Sequence, residues 1–161
     1  MSPSDPRADA ADCFRRAYER QMQGEYHQAI ELYTRSIELF PTAEAYTFRG
    51  WMYSFLGDYE RAIQECLQAI QVDPDFGNPY NDIGAYLIEQ GKWDEAIPWF
   101  EKAMAAKRYE ARVYPHFNLG RVYEHQGRWE KARNCYRKAF EVDHRYVTAL
   151  AALRRMSARF N

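Results

Sequence analysis

A chain of 161 residues with 22 Lys plus Arg against 23 Asp plus Glu, and no run of about eighteen apolar residues, excludes a membrane-spanning helix and is long enough for one ordered domain. Cys13, Cys66 and Cys135 are too few and too widely spaced for a disulfide framework and are expected as small buried hydrophobes; with no basic-then-apolar leader, the cytoplasm is the expected compartment. The net charge of −1 hides a gradient, since residues 1–91 carry 7 basic and 15 acidic side chains, net −8, while residues 92–161 carry 15 and 8, net +7.

Residues 1–8, with Pro3 and Pro6 and no apolar period, are expected to be a loose N-terminus. A first helix is expected from about Asp9 to Gln23, with Cys13, Phe14, Ala17, Tyr18 and Met22 at helical spacing over more than one stripe. Its partner, about Tyr26 to Phe40, carries Ala29, Ile30, Tyr33, Ile37 and Leu39 and is stopped by Pro41. Thr42 and Asp58 are expected to cap the next two helices. Asp73-Pro74-Asp75 breaks the chain, and Asn78-Pro79 starts a fifth helix with Pro in its first turn. Asp94 is expected as the cap of the sixth, with Pro98 bending or loosening its first turn. Pro115 opens another helix, and Glu130 to Val142 completes a fourth pair. In the last segment, Val147, Leu150, Leu153, Met156 and Phe160 form one apolar stripe at spacings of three and four.

One unit repeats through this order. Gly24, Gly57, Gly91 and Gly127 are separated by 33, 34 and 36 residues, and each is followed by an aromatic residue two positions on and by Ala29, Ala62, Ala96 or Ala132 five positions on. Downstream, Tyr33, Cys66, Phe100 and Tyr136 are in register; upstream, so are Ala17, Gly50, Gly84 and Gly120, small residues that let two backbones approach. At these residues the chain resembles the tetratricopeptide repeat family. The resemblance implies an all-α, right-handed α-solenoid of four helix-turn-helix units, at about 10–42, 43–76, 77–112 and 113–146, closed by a capping helix at 147–161. It departs from the family at Arg108 and His144, where Pro41 and Pro74 have set the pattern, and in a link from the third to the fourth unit that is two residues longer.

No catalytic constellation, phosphate loop or metal-ligand spacing is present, so neither an enzyme nor a cofactor or metal site is expected. The resemblance implies a protein-protein interaction scaffold that holds a peptide or helical segment of a partner on its first helices. Carried over residue by residue, the candidate contacts are Phe14, Tyr18, Met22, Trp51 and Phe55, which are aromatic or apolar, and Asn81, Asp82, Asn118, Arg121 and His125, which are polar. Trp51 with Phe14, Tyr18 and Phe55 would form a large apolar surface if exposed. Asn118-Leu119-Gly120 resembles the motif of family members whose groove amides hold an extended peptide. The clamp by which other members hold chaperone C-termini is not expected, because Phe14, Tyr18 and Phe48 stand where its first polar groups would be. Two alternatives stay open: RNA binding through the basic half, or a self-assembling subunit of a larger complex, its opposite poles meeting head to tail in a salt-sensitive way.

Overall fold

In a computed structural model, residues 5–161 are described and are helical throughout apart from short links, with no extended strand among them. The helices are α1 (Pro6–Met22), α2 (Tyr26–Leu39), α3 (Ala43–Phe55), α4 (Tyr59–Val72), α5 (Asn78–Glu89), α6 (Trp93–Ala105), α7 (Val113–His125), α8 (Trp129–Val142) and α9 (Val147–Ser157), followed by a short 3-10 turn. They form two compact units, Met1–Pro79 and Tyr80–Asn161.

The four glycine turns form as their spacing implies. Gly24, Gly57, Gly91 and Gly127 have φ between 71° and 82°, a region closed to most side chains. Each N–H bonds three residues back and the next N–H five residues back, as in Gly24 to Gln21 (3.0 Å) and Glu25 to Arg20 (2.9 Å). That pairing satisfies the last carbonyls of one helix while reversing the chain into the next.

Beyond each turn, Ala29, Ala62, Ala96 and Ala132 are completely buried, and Tyr33, Cys66, Phe100 and Tyr136 fill the space between paired helices. The upstream small residues are matched to these. A methyl placed on Gly84 would lie 2.5 Å from the Phe100 ring, and one on Gly120 would lie 2.5 Å from the Tyr136 ring. Where the ring carries a hydroxyl, an acceptor stands three residues before the glycine turn: Tyr33 donates to Gln21 (2.7 Å) and Tyr136 to Glu124 (2.6 Å). Phe100 has no hydroxyl, and the matching position is the apolar Ile88.

Several ends differ from the sequence expectations. α1 begins at Pro6, because Asp5 accepts from the N–H of Arg7 (3.0 Å) and Pro occupies the first helical position, where its missing N–H costs nothing. The part of the expected loose terminus at residues 1–4 lies outside the described residues. Thr42 and Asp58 do cap α3 and α4. Asp94 does not cap α6: it lies in the first turn and its carboxylate accepts from Gln126 (2.6 Å), and α6 continues through Pro98. Cys66 is buried, whereas Cys13 and Cys135 are half-buried, Cys135 standing one position before the register residue Tyr136. On α9 the buried stripe is Ala149, packed with Val113 and Ala139, and Ala152 and Met156, packed on Ala132 and Tyr136; Val147 is 69% exposed and Phe160 48% exposed. Small residues allow the closer helix approach, and the larger Leu150 and Leu153 sit at its margins.

Candidate functional site

The first helices of the repeats carry all ten candidate contacts, five in each unit. In the first unit, Phe14, Tyr18 and Met22 follow one another by single turns of α1, and Trp51 and Phe55 do so on α3. Phe48, absent from the candidate contacts, stands among them. Its ring lies 5.3 Å from Phe14, 6.1 Å from Tyr18, 6.1 Å from Tyr33 and 4.7 Å from Trp51. Phe14, Phe48 and Trp51 therefore pack partly into the unit's own core with Ala17, Ala29 and Met52. What stays open is a smaller surface: Met22 at 68%, Phe55 at 59% and Tyr18 at 43% exposed, with Phe55 stacked on Tyr26 at 5.1 Å.

In the second unit, α5 and α7 place three polar candidates in near-complete burial, Asn81, Asp82 and Asn118 each being 8% exposed. Two of them are joined, since the Asn118 amide donates to the Asn81 carbonyl oxygen (3.1 Å). The free oxygen of Asn118 accepts from Arg121 one turn on (3.3 Å). This chain of amide and guanidinium fixes the direction of Arg121 from below. His125, one further turn along, is exposed and stacks face to face on Trp93 at 4.0 Å.

Arg121 opens into a cleft of about 460 Å³ whose walls include Trp93, Phe117, Glu124, Tyr136 and Arg155. Glu124 is fully engaged there, accepting from the Tyr136 hydroxyl (2.6 Å) and from Arg155 of α9 (2.8 Å). Burial by itself would raise the Glu124 pKa, but the Tyr136 hydroxyl and the Arg155 guanidinium outweigh it and hold the carboxyl below its ordinary range. The Tyr136 hydroxyl is pushed well up, first by burial and then by Glu124. Arg121 has no carboxylate within ion-pair reach among the described residues, its only side-chain partner being Asn118. The cleft thus has aromatic walls, one satisfied ion pair and one guanidinium in excess. Glu124 was not picked out from the sequence, which presents Tyr136 and the last helix as packing and cap, not as walls of a site. The recurring pairing of a hydroxyl-bearing ring with an acceptor twelve positions earlier was the available signal.

Among the described residues, no three His, Cys, Asp or Glu side chains gather as they would to hold a metal ion. No described helix is long and apolar enough to cross a membrane.

Comparison with known proteins agrees with the repeat register. Tetratricopeptide repeat profiles match residues 15–39, 43–76 and 75–145. The small glutamine-rich tetratricopeptide repeat-containing protein 2 of Mycosarcoma maydis is 35% identical over 81 residues, which is 50% of this chain and 23% of that protein. The chain spans less than a third of the length of the first curated relatives it matches. Among solved structures, PilF of Pseudomonas aeruginosa superposes with a TM-score of 0.89 at 17% identity, covering 97% of this chain and 71% of that one. YrrB, described as a TPR protein with an unusual peptide-binding site, superposes with a TM-score of 0.69 at 20% identity, covering 94% and 77%. At such identities these two structures speak to the fold alone. The glycine turns, the buried alanines and rings in register, the family profiles and the shared fold have one common explanation: the chain belongs to the tetratricopeptide repeat family.

Proposed function

We propose that this chain is a non-catalytic protein-interaction module, and that its second unit holds a partner segment by seating an apolar side chain between Trp93 and Phe117 and a carboxylate on Arg121. The observation that carries this reading is the single unmatched guanidinium in a cleft whose other charges are matched. A ligand carboxylate would meet a donor already aimed by Asn118 and Asn81, so little side-chain freedom is lost on binding. Asp82 and His125 border this polar face and are proposed as secondary contacts. In the first unit, Tyr18, Met22 and Phe55 are proposed as a separate apolar contact, with Phe14 and Trp51 supporting it from beneath. That YrrB is described as having a peptide-binding site is in keeping with such a role.

A nucleic-acid reading is less well supported. Many of the second unit's basic groups are taken up within the chain, Arg155 on Glu124, Arg145 on Asp143, Arg159 over Trp129 and Arg133 over Phe160. The test is a library of acidic amphipathic peptides titrated by fluorescence anisotropy. Arg121→Glu is expected to reduce the affinity of the best binders by about a hundredfold, given the strength of charge-assisted pairs. Peptides that bind Arg121→Glu as well as the wild type would remove the proposal.

A further inference from the structure

Every repeat after the first has its two helices closed at one end by an aromatic residue from the link that follows. Phe76, 7% exposed, lies on Ala43 and Ala69 beside Tyr46. Tyr109, also 7% exposed, lies on Ala103 and Ala106, under a link that Arg112 ties down by donating to the carbonyls of Met104 and Ala106, each at 2.8 Å. Tyr146 packs against Val113, Ala139 and Ala149, its ring 5.4 Å from Phe117.

Counted from the glycine turns, the first-repeat counterparts of Ala43 and Ala69 are Ala10 and Ser36, and the residue in register with Phe76 and Tyr146 is Ala43. The link from α2 to α3 is only residues 40–42, so position 43 is already the first residue of α3 and packs with Ala69 under Phe76, which leaves the first repeat without a ring at this register. At this place lies an open cleft of about 250 Å³ with mainly apolar walls, formed by Arg7, Ala10, Phe14, Ser36, Phe40 and Glu44. The Arg7 guanidinium lies over the Phe40 ring at 4.8 Å and has no carboxylate partner among the described residues.

The chain itself exhibits the chemistry that fits such a place. Phe76 and Tyr146 each end a four-residue turn begun by Asp: their N–H groups donate to the carbonyls of Asp73 (3.2 Å) and Asp143 (3.1 Å), and each Asp carboxylate accepts from the N–H two residues on (3.0 Å in both). We propose that the first-repeat cleft is a second docking site, independent of Arg121, that receives a turn of the form Asp-x-x-Phe or Asp-x-x-Tyr from a partner protein. The ring lies across the cleft over Ala10 and Ser36, which stay joined by the Ser36 hydroxyl donating to the Ala10 carbonyl (2.8 Å), and the carboxylate reaches Arg7.

The experiment uses the full chain and a fluorescein-labelled hexapeptide, closed by a lactam, that carries Asp-Ala-Ala-Phe. Saturable binding is expected, with affinity lowered at least about tenfold by Phe→Ala in the peptide and by Ala11→Trp, which fills the cleft from its exposed rim. Arg7→Glu is expected to lower it about fivefold. Arg121→Glu is expected to leave it unchanged, which separates this site from the one in the second unit. An unaltered helical circular dichroism spectrum shows that Ala11→Trp remains folded. Absence of saturable binding, equal binding of the Phe→Ala peptide, or equal binding to Ala11→Trp would overturn the proposal. So would a tenfold gain on deleting residues 1–4, which would give the cleft to those residues.

Discussion

The second repeat, in the first unit, and the third and fourth repeats, in the second unit, solve one packing problem in two ways. In the second unit a ring crosses a glycine: Phe100 against Gly84 and Tyr136 against Gly120, with no room for a methyl. In the second repeat the ring is replaced by the Cys66 thiol, and a methyl on Gly50 would meet Glu65 Cβ and the Ala62 carbonyl at 3.2 Å, a tight contact but not an overlap. One residue before Gly50 and Cys66 stand the two partners of an ion pair. Arg49 donates to both oxygens of Glu65 (2.6 and 3.0 Å) and to Thr34 (3.1 Å), with the two side chains 15% and 11% exposed. The helix pair is thus fixed by shape at the register position in one place and by charge one residue away from it in the other, and the two respond to different perturbations.

The largest expected effect falls on the charged version. Glu65→Ala leaves Arg49 nearly buried without its carboxylate and should cost about 3 kcal/mol, measured by urea unfolding. Next comes Gly120→Ala. The Tyr136 ring cannot retreat because its hydroxyl is held by Glu124, so the overlap should outweigh the helical gain of alanine and cost about 2 kcal/mol; Gly84→Ala, against the untethered Phe100, should cost somewhat less. Glu124→Gln should cost about 1 kcal/mol at pH 7. Because the folded pKa of Glu124 is depressed, its contribution is full above its ordinary value of 4.5 and is lost as pH falls through the folded value. The gap between wild type and Glu124→Gln should therefore narrow on acidification below pH 4.5. The smallest change belongs to Gly50→Ala, where tight contact and better helix propensity nearly cancel, within about 0.5 kcal/mol. A cost there equal to that of Gly120→Ala would erase the distinction between the two repeats.

The repeats themselves were legible because a reversing helix pair needs φ > 0 at its turn, and only glycine meets that need without strain; four glycines near one period announce four hairpins. The register of small residue against ring was legible for the same steric reason. The helix starts were less so. Asp5-Pro6 competes with Asp9 as a beginning, and Asp94 finds a side-chain donor on another helix instead of its own backbone. At the candidate site, residue types were readable but their partners were not. Nothing in Phe14, Phe48 and Trp51 as letters says that their rings turn toward one another, since stacking between helices depends on how far apart the backbones settle. That no carboxylate among the described residues comes within ion-pair reach of Arg121 is likewise a fact of three-dimensional neighbours, in a chain that holds 23 acidic residues.

The contact between Gly84 and Phe100 also limits the routes by which this chain can vary. A side chain cannot be added at position 84 while the ring stands, but the ring can be trimmed while the glycine stands. Substitutions at this pair can therefore accumulate in one order only, and the joint change Gly84→Ala with Phe100→Leu should be less harmful than its two steps summed.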